Sequence, residues 1–118
     1  MTIQECYDKL QGNYADALKR LMRDNLIERF MLMFPKDESM KLLHEAIAAN
    51  DQHSAFRAIH SMKGVAGNLA FSQLQKDASA LTEQLRDGTQ MPDPLLLQNV
   101  EDSYKLVIDT LDEYVKTK

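Results

Sequence analysis

Residues 52–69 read QHSAFRAIHSMKGVAGNL, and their apolar members Ala55, Ile59, Met62, Ala66 and Leu69 stand at steps of four, three, four and three. Such steps return to one side of an α-helix and to neither side of a strand, so the spacing predicts a helix over about 52–69 with one buried stripe. At about 100° per residue, His60 points roughly 140° away from the centre of that stripe, toward solvent. Phe56, Lys63, Gly64 and Gly67 share the exposed face, with Arg57 and Asn68 toward its far edge. Two glycines inside one helix cost about 1–2 kcal/mol relative to alanine. Helix formation alone does not account for them.

Helical spacing continues outward from this stretch in both directions. Upstream, Ile3, Tyr7 and Leu10 predict a short first helix ended by Gly12-Asn13, after which Asn13 can cap a stripe of Tyr14, Leu18 and Leu21. Asp24 is the expected cap of the next stripe, Ile27, Phe30 and Phe34, which should break at Pro35. Met40, Leu43 and Ile47 mark a further helix ending near Asn50-Asp51. Downstream, Ser72 is the expected N-cap of a helix carrying Leu74, Ala78, Leu81 and Leu85, which Asp87-Gly88 should end. A loop containing Pro92 and Pro94 then leads to a last stripe of Leu97, Val100, Tyr104, Val107, Leu111 and Tyr114. No stretch alternates like a strand. The expectation is an all-α fold: an antiparallel up-down four-helix bundle with an additional short N-terminal helix, residues 1–118 forming one domain.

Composition narrows the function classes. Of the 118 residues, 44% are hydrophobic and 27% charged, the balance of an ordinary globular chain. A formal net charge of −4 argues against a nucleic-acid or anionic-membrane surface. No apolar run approaches the roughly 18–20 residues of a membrane span, and MTIQECYDKLQG does not resemble a signal peptide. Cys6 is the only cysteine, which rules out an intrachain disulfide and a cysteine-based metal cage and suits a reducing, cytoplasmic setting. His44 and His53 read as surface residues with no metal-ligand spacing, and the seven methionines as core filler.

Chemistry is expected where the helix departs from what packing alone would choose. An exposed imidazole beside bare backbone lets a second protein bring a reactive atom to the ring unobstructed. A histidine of ordinary pKa, about 6.5, is largely neutral near pH 7, and the neutral ring nitrogen is a nucleophile for phosphoryl transfer. Lys63, at i+3, can reach a group attached to the ring, and a phosphoryl group brings about −1.5 to −2 charges for that ammonium to meet. No metal, nucleotide or other cofactor is required of this chain, because a receiver partner would supply the acyl phosphate and its magnesium.

The run His60-Ser61-Met62-Lys63-Gly64-Val65-Ala66-Gly67-Asn68-Leu69-Ala70 resembles the phosphorylation-site motif of histidine-containing phosphotransfer (HPt) domains, and the resemblance spans roughly residues 24 to 88. It implies that His60 is the phosphoacceptor, that Lys63 neutralises the phosphoryl group and that Gly64 keeps the ring accessible. The implied protein is a phosphocarrier and not an enzyme, exchanging phosphoryl groups with response-regulator receiver domains and a hybrid histidine kinase. Ala70 departs from the family pattern, which usually has glycine there.

Phe56, Arg57, Gly67 and Asn68 are the expected partner-docking residues. Phe56 could equally belong to the core, and either glycine could admit a neighbouring helix. A free-standing monomer is expected. Two other readings remain open: a chemotaxis-kinase-type domain phosphorylated directly by an ATP-bound kinase, and a helical adaptor whose histidine is unused.

Overall fold

The short N-terminal segments fold because their ends are capped. Thr2 Oγ1 accepts from the backbone of Glu5 at 3.0 Å while the Glu5 carboxylate accepts from Thr2 N at 2.8 Å, a reciprocal box that opens α1 (Ile3–Leu10). The helix ends on Gln11, the residue with left-handed backbone (φ 62), and not on the expected Gly12-Asn13 pair. Gly12 is needed for space instead: a Cβ there would lie 2.7 Å from the Tyr7 ring and 2.9 Å from the Ala70 carbonyl oxygen. Asn13 caps α2 (Tyr14–Leu21) as expected, its Oδ1 accepting from Asp16 N at 2.9 Å.

The computed structural model describes residues 1–118 and contains, besides α1 and α2, five longer α-helices and no strand. These are α3 (Asp24–Met33), α4 (Ser39–Ala48), α5 (Gln52–Asn68), α6 (Ser72–Leu85) and α7 (Pro94–Thr117). Pro35 breaks the chain where expected, in a single 3-10 turn at Phe34–Lys36. Asp51 caps α5 by accepting from Ser54 N at 3.1 Å, and Asp93 caps α7 by accepting from Leu95 and Leu96 N, each at 3.1 Å.

Three further boundaries differ from expectation. Arg23 and Phe71 occupy the cap positions of α3 and α6, while Asp24 and Ser72 are the first helical residues. Asp24 instead accepts from the Tyr14 hydroxyl at 2.5 Å. Pro94 is not loop but the first residue of α7, where its missing N–H would have had no helical partner anyway.

In the bundle, α5 packs against α4 and α6, and α6 against α7, which also carries α1. The short N-terminal helix α1 is followed by an equally short α2, and the α1–α2 corner clamps the turn between α5 and α6. The Tyr7 hydroxyl donates to Leu69 O at 2.8 Å, Asn13 N to Ala70 O at 2.9 Å, and Gln73 N to Gln11 O at 3.1 Å. One contiguous core runs from Cys6 and Tyr7 through the α5 stripe to Tyr114. Ala55, Ile59, Met62 and Ala66 are fully buried, so truncating Ile59 to alanine would cost about 2–5 kcal/mol. Cys6 is buried as well, and burial pushes its thiol up to about 11, leaving it unreactive.

The methionines divide, contrary to the reading of all seven as core. Met31, Met40 and Met62 are buried, whereas Met22 and Met33 are exposed. Met22 is the left-handed residue just past the end of α2, and Met33 is the last residue of α3.

Candidate functional site

The stripe that buries one side of α5 leaves His60 exposed on the other. A cleft of about 260 Å³ opens there, lined by Arg20, His60, Lys63, Gly64, Gly67, Asn68 and Gln75. Neither apolar side chains nor carboxylates line it. Around the position of a Cβ on Gly64 there is nothing within 4 Å, so the backbone one turn after His60 lies open. Lys63 is half-buried, and no carboxylate lies within ion-pairing distance of its ammonium. A cleft of this composition suits an anion.

Gly67 behaves differently from Gly64. It is buried, and a Cβ there would lie 2.8 Å from Nε2 of Gln75, whose side chain crosses α5 from α6. The second glycine therefore admits a neighbouring helix's side chain, the alternative open in the sequence, and a partner meets Gln75 at this point. Asn68 is exposed and lines the cleft. Arg57 does not; it faces a separate groove on the α4 side with Leu42 and Ser61.

Phe56 is half-buried and engaged within the chain. Its ring lies parallel to the His60 imidazole, within 5° at a centroid distance of 5.8 Å, and the Arg86 guanidinium stands 5.5 Å from the same ring. Glu83 holds that guanidinium with two oxygens, at 2.9 Å from Nη2 and 3.1 Å from Nε. The hydrogen bond to Arg86 keeps the Glu83 carboxyl below its usual range, helped by the charges of Arg86, Lys63 and His60. The acidic group nearest the histidine face is thus already paired.

A larger, apolar groove of about 620 Å³ adjoins the cleft and shares Arg20 and Asn68 with it. Leu21, Phe30, Met33, Phe34, Val65 and Leu69 supply its apolar lining, and Phe30 and Met33 are 40% and 54% exposed.

A family model described as the Hpt domain matches residues 26–115, more than half of the chain. The chain belongs to the Hpt domain family. Hpt domains are histidine-phosphotransfer modules of phosphorelays and work with receiver domains and histidine kinases. No curated protein and no solved structure matches the chain significantly. The match covers α4, α5, α6 and most of α3 and α7, and it leaves α1 and α2 outside.

Within this Hpt fold, His60, Lys63, Gly64, Gly67 and Asn68 line one cleft; Arg20 and Gln75, which the sequence did not single out, line it with them, and Glu83 and Arg86 flank it at Phe56. Gln75 carried a partial signal, since it flanks the buried stripe of Leu74 and Ala78 on α6. For Arg20 the sequence carried none, because nothing local says which helix α2 meets. No helix is long and apolar enough to cross a membrane.

Proposed function

We propose that this chain is a phosphocarrier of a multistep phosphorelay, in which His60 takes a phosphoryl group from a receiver-domain aspartate and passes it to another receiver. The observation that carries the reading is the open backbone at Gly64 beside an exposed His60 and an unpaired Lys63. The ring nitrogen without hydrogen supplies an electron pair to phosphorus. The acyl P–O bond breaks with its electrons leaving on the aspartate carboxylate, and the proton on the other ring nitrogen stays with the ring. Lys63 meets the charge of the transferred group, and Gly64 leaves the in-line approach unobstructed. The stacked Phe56 ring restricts the orientation of the imidazole.

The receiver docks over Phe56, Gly64 and Asn68, with the Gln75 side chain lying over Gly67. The adjoining groove at Phe30 and Met33 provides a modest apolar patch. Relay contacts must release, so the interface should fall near about 1,200 Å², the lower end of the specific range. Residues 1–118 act as one monomeric domain in the cytoplasm, loaded from a hybrid histidine kinase's receiver.

Incubation with a phosphorylated receiver should give acid-labile label on the chain, and adding an unphosphorylated receiver should remove it. Labelling by an ATP-bound kinase domain but not by the receiver would favour the chemotaxis-type reading. Labelling by neither would leave an adaptor.

A further inference from the structure

We infer that Arg20, contributed by α2 from outside the family-matched residues, is a second cation for the phosphoryl group on His60. The inference rests on His60 being the acceptor. Three observations carry it.

The first is placement. Although forty residues separate them in sequence, Arg20 and His60 wall the same small cleft, and the cations of that cleft are Arg20 and Lys63 with no carboxylate among its lining groups. In a chain of net charge −4, this lining selects for an anion.

The second is rigidity. The start of α2 is fixed to the end of α5 by the hydrogen bond from Asn13 N to Ala70 O and by Gly12, which lies against that same carbonyl and against the Tyr7 ring whose hydroxyl donates to Leu69 O. The backbone that leads to Arg20 therefore sets out from a point held on the histidine helix.

The third is the state of the guanidinium. Asp16, one turn earlier, accepts from its Nε at 2.9 Å, and the terminal nitrogens have no protein partner. Asp16 thus steadies the arm and leaves free the donors that fit two oxygens of a phosphoryl group. One ammonium cannot match a group of about −1.5 to −2 charges, and a second cation completes the balance.

Arg20 also borders the apolar groove, so it could instead touch the receiver. Phosphoramidate separates these roles because it presents a phosphoryl group with no protein surface. Its P–N bond breaks, the protonated nitrogen leaves as ammonia with the bonding electrons, and the phosphoryl group forms an N–P bond to His60. Loading rates of the full chain would be measured for wild type, Arg20→Gln and Arg20→Lys, with melting curves for each.

Arg20→Gln should load about three- to tenfold more slowly, the scale of one charge acting across a few ångströms of a wet cleft, and the deficit should shrink as salt rises. Arg20→Lys should recover most of the rate, and melting should stay unchanged because the side chain is half-exposed. Wild-type loading on His60 with an equally fast Arg20→Gln variant would overturn the assignment alone, as would a deficit confined to the receiver reaction. No loading of wild-type His60 from phosphoramidate or receiver would overturn the phosphocarrier reading and this inference together.

Discussion

Around His60 the surface of α5 is bare, whereas at its C-terminal turn the same helix is crowded. Gly64 faces open space, while Gly12, inserted against that turn, would place a Cβ 2.7 Å from the Tyr7 ring. Lys63 has no ionic partner, yet Leu69 O and Ala70 O each accept a hydrogen bond from the N-terminal segment. The contrast teaches how an exposed nucleophile can be held in place. The reactive face keeps few contacts of its own, so its position comes from the anchored turn beyond it and the buried stripe beneath it.

The crowded end offers the larger effect. Gly12→Ala should destabilise the fold by about 1–3 kcal/mol, since two of the three nearest atoms are a packed ring and a backbone carbonyl, neither free to swing away. Chemical denaturation measures this, and an unchanged midpoint would show that the clamp yields easily. At the open end the sign reverses. Gly64→Ala should stabilise by up to about 1 kcal/mol through helix propensity, because its methyl group meets nothing. Gly64→Leu and Gly64→Gln should slow phosphotransfer progressively with side-chain size. If the larger variants transfer at the wild-type rate, access is not the reason for that glycine.

The smallest change tests the turn itself. Ala70 adopts a left-handed conformation (φ 57) at the position where the family usually has glycine. Left-handed backbone costs a residue with a Cβ about 1–2 kcal/mol, offset in part by glycine's greater entropy loss and here by the loss of a buried methyl. Ala70→Gly should therefore raise stability by about 0.5 kcal/mol in the same denaturation assay. A clear loss would mean that the methyl's packing outweighs the backbone strain.

Most of the site's scaffold was legible because it is periodic. Ala55, Ile59, Met62 and Ala66 fix which side of α5 is buried, and this alone turns His60 outward beside Gly64. The cap at Asn13 and the break at Asn50-Asp51 were readable from local chemistry, while the capping of α5 by Asp51 emerged only in the structure. Asp24 and Ser72 misled by one position because acceptor side chains suit both the cap and the first turn, and only the backbone geometry separates the two. Contacts between helices were not legible. That Gly67 lies under Gln75, that Arg86 stands over the Phe56 ring, and that Arg20 reaches the cleft all depend on how α2 and α6 are set against α5, whereas Phe56 and His60 stack as neighbours one turn apart on α5 itself.

The central claim, that His60 on the bare face of α5 is the phosphoacceptor, is tested most directly by comparing acid-labile phosphate on the wild-type chain and on His60→Gln after incubation with a phosphorylated receiver, with thermal melting of both. The account predicts label on the wild type, none on the variant, and melting free energies within about 0.5 kcal/mol, since the ring is exposed. Persisting label on the variant, carried by His44 or His53, would contradict it.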